Sequence, residues 1–269
     1  MKIHFSWTIS ANSLMELESK IMVASTKGMN CHNTVWVQKK EYDKVDPSLK
    51  RMVDIQTYEP NPALLEPWAT TPKWDVEPQG DIIIGTDADV MVWNQELAIK
   101  AAEECLETNK LYGTIGYAAP FPKSEWEVLF DRYKMRDEFK YQYTNTKEPS
   151  PYYINNGVVM MTKETLPSFR SSYNKWLAEI NKWHYKCYYL CQVANTMAIN
   201  ELQIPVVAMP RTFNYTEIDN PGTPLLEEAI FLHYNISREN IAKGGITAIK
   251  NLPVKNKIYD LMYGKIKMI

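Results

Sequence analysis

The sequence predicts an α/β protein with a mainly parallel central sheet flanked by helices. Three observations carry that expectation. β-rich and helix-periodic segments alternate through the first half of the chain, the pattern of right-handed βαβ units. Ile82-Ile83-Ile84, held between Gly80 and Gly85, is a continuous apolar run that suits a strand buried on both faces. The 269 residues, 45% hydrophobic and 23% charged, suffice for one large domain with its own core.

The elements follow in order. Residues 3 to 8 (IHFSWT) alternate and are rich in β-formers, so they read as a first strand. Leu14, Leu17, Ile21 and Met22 recur at helical spacing and predict a helix from Ser13 to about Ala24. Residues 34 to 38 and 52 to 58 read as strands. Residues 60 to 79 carry Pro60, Pro62, Pro67, Pro72 and Pro78, but also Leu64, Leu65, Trp68 and Trp74, so an ordered loop or broken helix is expected. Residues 81 to 85 form the buried strand, and 95 to 107 a helix with Asn94 as its N-cap. A strand over 112 to 118 and a helix over 125 to 135 come next. Residues 153 to 161 (YINNGVVMM) read as a strand interrupted by Asn-Asn-Gly. Helices over 163 to 182 and 186 to 201 precede short strands at 204 to 209 and 229 to 234. There is no internal repeat and no low-complexity tract.

Composition narrows the function classes. A net charge of −2 provides no global basic field to recruit nucleic acid. The 17 Tyr and 8 Trp suit sugar or base stacking, but rings fill cores more often. No run approaches the ~20 apolar residues of a membrane helix, and MKIHFSWTIS has no apolar signal core, so a soluble cytoplasmic protein is expected. Cys31, Cys105, Cys187 and Cys191 form no Cys-x-x-Cys. Cys187, Cys191 and nearby His184 fall short of a four-ligand zinc site, and free thiols are expected.

The chemistry concentrates in GDIIIGTDADVMVW, residues 80 to 93. On a strand Asp87 and Asp89 would face the same way and repel, so a cation between them is the sharp reading and a pair of solvated turn aspartates the plain one. In parallel sheets ligands bind beyond the carboxyl ends of the strands, where this pair sits.

Further features follow in a fixed order. Lys73-Trp74 precedes Asp87-Ala88-Asp89. Asn155-Asn156-Gly157-Val158-Val159-Met160 lies on a later strand. Cys191-Gln192 lies within a helix, followed by Asn200 and Phe213-Asn214, and Leu232-His233-Tyr234 ends a late strand. Over residues 1 to 236 this set resembles the GT-A-fold glycosyltransferases, most closely the retaining group that contains glycogenin and bacterial galactosyltransferases. The resemblance implies a GT-A catalytic domain over 1–236 and a docked C-terminal extension over 237–269. It implies a UDP-sugar donor, glucose or galactose, and a carbohydrate, lipid or protein acceptor.

It also implies residue roles. Asp87, Asp89 and His233 would hold Mn²⁺ or Mg²⁺, and Asp87 with Ala88 would reach the nucleotide. A metal stabilises charge on the departing diphosphate, hard cations want oxygen ligands, and a His ligand favours manganese. Residues Phe5 to Ile9, Thr8 and Ile9 above all, would line the base. Lys73 would offset phosphate or bind uracil, a solvated lysine being the plain alternative. Asn155, Asn156 and Gly157 would shape the sugar cleft, through amides that bond hydroxyls and a glycine that admits close approach; a bulge or turn explains them nearly as well. Gln192 and Asn156 would stand at the reacting carbon.

Two departures stand out. The group often has Asp-Gln where this chain has Cys191-Gln192. It also carries a phosphate-clamping Lys after the late His, where this chain offers Arg238 or Lys243. Between Pro151 and Glu217 the acids are Glu164, Glu179, Glu201 and Glu217, none beside Gln192, which leans toward retention because inversion needs a carboxylate base. Alternatives are a haloacid-dehalogenase-like Mg-dependent phosphatase, for which the motif lies too far from the N-terminus, and a non-catalytic sugar-binding protein of the same fold. A sugar nucleotidyltransferase would want a glycine-rich basic loop where Ser10-Ala11-Asn12-Ser13 stands. The lysine-rich stretch from Lys250 to Ile269 reads as a docking element or a membrane-surface helix, with Pro253 and Gly264 interrupting it.

Overall fold

The computed structural model describes residues 1–60, 72–135, 139–182, 189–218 and 224–264. In chain order the elements are β1 (Ile3–Ile9), α1 (Ser13–Ser25), β2 (Cys31–Gln38), α2 (Pro47–Lys50), β3 (Asp54–Tyr58), β4 (Ile82–Thr86), β5 (Val90–Val92), α3 (Gln95–Thr108), β6 (Leu111–Ile115), α4 (Lys123–Arg132), the hairpin β7 (Tyr141–Gln142) and β8 (Pro149–Ser150), β9 (Ile154–Thr162), α5 (Leu166–Asn181), α6 (Leu190–Leu202), β10 (Val206–Met209), β11 (Asn214–Thr216), β12 (Phe231–His233), α7 (Asn235–Gly244) and α8 (Leu252–Tyr263). Leu64, Leu65, Trp68, His184, Cys187 and the expected helix start at Lys186 lie outside the described residues.

A seven-stranded sheet, in the order β10-β6-β9-β4-β1-β2-β3, is the centre. Every neighbouring pair is parallel except the two that involve β9, which runs against both β4 and β6. The isoleucine run shows why the sheet is buried twice over. Ile82 and Ile84 pack with α1 and α3 on one face, while Ile83 packs with α4, α5 and α6 on the other. Burying each such side chain contributes roughly 1.5–3 kcal/mol. Asn12 and Asn94 start α1 and α3 by accepting from the N–H groups of Met15 and Leu97.

β9 runs through the Asn-Asn-Gly as one strand, but its pairing with β4 begins only after it, from Thr86↔Val158 to Ile82↔Thr162. On its β6 side the ladder jumps from Gly113↔Val159 to Ile115↔Ile154, so this stretch bulges away from β6. A smaller sheet, β11-β12-β5, stands at the end of β4. Its three-residue strands β5 and β11 are too short to show a period in sequence.

Helix α8 packs on α1, burying Val254 and Ile258 beside Ile21. Pro253 sits in its first turn and Gly264 caps its end, so these residues bound the helix rather than interrupt it. Among the described residues no helix is long and apolar enough to cross a membrane.

Candidate metal centre and donor cleft

Strand β4 ends at Thr86, and Asp87, Ala88 and Asp89 form the turn into β5. The two aspartates therefore converge through a turn, not through strand alternation. Two backbone bonds pin the turn. Asp87 N–H donates to the Gly157 carbonyl at 3.1 Å, and Tyr234 N–H donates to the Asp89 carbonyl at 3.0 Å. In the antiparallel β5–β12 ladder His233 stands opposite Val90, which brings its ring beside Asp89. His233 Nε2 lies 3.1 Å from Asp89 Oδ1.

One ligand atom from each of Asp87, Asp89 and His233 can be chosen with all three within 4.8 Å of one another, and no other such group occurs among the described residues. Opposite ligands on an ion with bonds of about 2.1–2.4 Å lie about 4–5 Å apart, so the span suits a divalent cation. Oxygen and imidazole donors suit manganese or magnesium, and Asp87, 40% exposed, leaves an open side for a ligand. Burial works to raise the pKa of Asp89, but the charge and hydrogen bond of His233, with the charge of Arg238, outweigh it, and the net shift is downward. Asp89 is thus held in its ligating form.

Beneath the turn lies a buried polar network. Gly85 has no side chain because the Trp74 ring occupies that space: a Cβ there would lie 2.4 Å from it. The same packing fixes Lys73. Its ammonium is 1% exposed and donates to the Asn156 carbonyl at 2.6 Å and to Asp87 Oδ1 at 3.3 Å. Lys73 is therefore not a solvated lysine. Asn156 accepts on its side-chain oxygen from Asn195 Nδ2 at 2.9 Å and hydrogen-bonds the Cys191 thiol. Burial pushes that thiol up to about 11. Cys31, Cys105 and Cys191 are all free thiols.

Gly157 ties this network to the metal centre. A Cβ on it would meet His233 Nδ1 at 2.7 Å and Asn155 Oδ1 at 2.9 Å. Asn155 Oδ1 in turn accepts from Gly157 N–H and from Asn214 Nδ2. A small cleft lined by Asn155, Asn214, Thr114, Thr144 and Arg211 opens beside them. The larger cavity, about 690 Å³ and lined by Trp176, Glu179 and Glu201, lies toward the other end of α6 and shares no residue with this centre.

The remaining sequence-predicted residues are placed as follows. Ser6 pairs with Gly85, so Thr8 stands level with Asp87 at the carboxyl edge of the sheet. Thr8 is half-buried, with its hydroxyl buried and without a hydrogen-bond partner among the described residues, whereas Phe5, Ser6, Trp7 and Ile9 are buried. Ala88 is buried in the turn. Gln192 is half-buried in the first turn of α6, beside Cys191. Arg238 Nε bonds Glu18 Oε1 at 2.6 Å and lies 4.0 Å from Asp89 Oδ2, while Lys243 is exposed and reaches Glu239.

Glu18 and Asn195 went unrecognised in the sequence. Glu18 did leave a signal: it falls on the apolar stripe of α1, four residues after Leu14 and four before Met22. Burial pushes its carboxyl up to about 7, against the pull of Arg238.

This architecture matches the GT-A glycosyltransferase fold. Among solved structures the galactosyltransferase LgtC, in complex with donor and acceptor sugar analogues, aligns over 99% of this chain and 98% of its own with a TM-score of 0.59 at 11% identity. Mouse xyloside xylosyltransferase 1 in its apo form aligns over 88% of this chain and 99% of its own, with a TM-score of 0.50 at 13% identity. No family model matches the sequence, and no curated relative does. At such identities the likeness establishes the fold, and the site residues must carry any argument about chemistry.

Proposed function

We propose that the protein is a metal-dependent glycosyltransferase that moves a sugar, glucose or galactose, from a UDP-sugar to a hydroxyl acceptor with retention of configuration. The observation that carries this reading is the convergence of Asp87, Asp89 and His233 at the carboxyl end of β4. Asp87, Asp89 and His233 would hold Mn²⁺, or Mg²⁺, which when bound stabilises negative charge on a departing diphosphate. The choice of uridine rests on the resemblance stated above, and the acceptor class is left open between carbohydrate, lipid and protein.

The chain's own residues would do the rest. Thr8 and the Asp87-Ala88 turn face the nucleotide side. Asn155 and Gly157 shape the sugar cleft. Asn156 is oriented by Asn195 and by the bond between its carbonyl and Lys73, and it stands with Gln192 at the reacting carbon.

Retention is supported by where the acids lie. Glu179 bonds Tyr133 and Lys182, Glu201 bonds Ser172 and Trp176, Glu217 is buried under α7, and Glu164 is exposed in the turn after β9. Cys191, with its raised pKa, remains a neutral thiol at pH 7 and is no general base. On this reading the departing diphosphate takes the acceptor proton. The test is NMR of products formed from UDP-glucose and UDP-galactose with Mn²⁺: an α-linked product from either α-linked donor is expected, and a β-linked one would overturn retention.

A further inference from the structure

A divalent cation at Asp87, Asp89 and His233 would meet carboxylates that already have cations beside them. Lys73 Nζ lies 3.3 Å from Asp87 Oδ1, and Arg238 Nε lies 4.0 Å from Asp89 Oδ2. The two cations differ in kind. Arg238 is half-exposed, and its closest bond goes to the buried Glu18. Lys73 is sealed under Trp74 and the β4–β9 edge. Its hydrogen bonds go to the carbonyls of Asn156 and Thr86 and to Asp87. It has no exposed path by which to swing away when a cation arrives.

A buried ammonium so close to a ligand opposes a second cation through protein of low dielectric, where salt screens poorly. Sites that hold a divalent ion tightly on their own gather several carboxylates around it. Burying an ammonium is also costly. The charge therefore calls for a role beyond packing.

Resting on the glycosyltransferase reading, we infer that Lys73 is a positioning residue and internal counterion that keeps the affinity for a free divalent cation low, so that the cation is held firmly only together with a diphosphate. The diphosphate brings the negative charge that Lys73 and Arg238 have offset. Cation and diphosphate then raise each other's affinity by the same factor, as linkage requires. Asp87, the most exposed ligand, is the one whose charge Lys73 tempers, so the counterion acts where the incoming complex would dock.

The test is titration of Mn²⁺ into the metal-free protein, followed by electron paramagnetic resonance of the unbound ion. It is run alone and with uridine, UDP or pyrophosphate, each read against the same mixture without protein because diphosphates chelate Mn²⁺ in solution. Wild type should bind Mn²⁺ weakly alone and with uridine, and at least about tenfold more tightly with UDP or pyrophosphate. Lys73→Gln, which keeps a donor for the Asn156 carbonyl, should bind Mn²⁺ alone about tenfold more tightly than wild type. Lys73→Arg, which keeps the charge, should behave like wild type.

A merely structural lysine would give the opposite sign, since its loss would loosen the ligands and weaken the ion. Lys73→Gln binding Mn²⁺ no more tightly than wild type would overturn the inference. So would a wild type that binds Mn²⁺ as tightly alone as with a diphosphate, a comparison that needs no variant to fold. Pyrophosphate tightening Mn²⁺ where UDP does not would sink the uridine donor while leaving the counterion in place.

Discussion

Gly157 shows how much of this site hangs on one missing side chain. Its Cα hydrogen leaves the space that His233 and Asn155 fill. Gly157→Ala should push His233 off its position and lower Mn²⁺-dependent UDP affinity about 10–100-fold, the usual effect of disturbing a residue that orients a ligand. Calorimetry would measure the loss, and unchanged affinity would show that His233 does not ligate. Gln192→Ala should lower kcat more than donor affinity, because its suggested place is at the reacting carbon; steady-state kinetics separates the two.

His4 predicts a pH dependence away from the site. Its Nδ1 accepts from Gln79 N–H, so Nε2 carries the proton toward Thr34 Oγ1, and the ring is sealed in neutral form. Burial, with smaller help from His32 and Lys2, lowers its pKa from 6.5 to about 4. The unfolded chain therefore binds more protons between those values. The contribution is complete above pH 6.5 and fades as pH falls toward 4, a loss of about 3 kcal/mol. Urea unfolding of wild type and His4→Gln at pH 7 and pH 4.5 would show it as a slope that the variant lacks.

At the scale of elements, the legible features were those set by local chemistry. The Asn94 cap, the helical stripe of α1 and the isoleucine strand declare themselves because caps and burial patterns are written in neighbouring residues. The pairing of β12 with β5 is different. It sets His233 against the turn that holds Asp89, yet three-residue strands leave no period, and their partnership is a matter of tertiary contact. The burial of Lys73, which rules out the solvated alternative, escaped the sequence for a related reason: it depends on Gly85 accepting Trp74, a match that only the folded chain makes. Gly85→Ala should cost about 1–3 kcal/mol by overpacking against that ring. It should also weaken Mn²⁺-dependent nucleotide binding, since Lys73 and Asp87 move with it; thermal melts and the same titration would check both.

At the scale of the molecule, the sequence resemblance reached the fold because the order of motifs along the chain reports topology. It could not reach the wiring of the C-terminal part. Glu217, at the end of β11, accepts from Ser237 N–H at 2.7 Å, from Ser237 Oγ at 2.8 Å and from Asn251 Nδ2 at 3.0 Å, and so ties α7 and the start of α8 to the core. We propose that the segment after residue 236 is an integral part of the catalytic unit. Glu217→Ala, which strands three donors, two of them buried, should cost about 2–3 kcal/mol in unfolding experiments, and a neutral result would argue for a loosely attached extension.

The central claim is that Asp87, Asp89 and His233 hold a cation that in turn holds a uridine diphosphate. The most direct measurement is calorimetric titration of UDP and GDP into metal-free wild type and Asp89→Ala, each with and without Mn²⁺. The account predicts UDP binding that requires Mn²⁺ and disappears in Asp89→Ala. Binding of neither nucleotide under any metal condition, or equal binding by the variant, would contradict it.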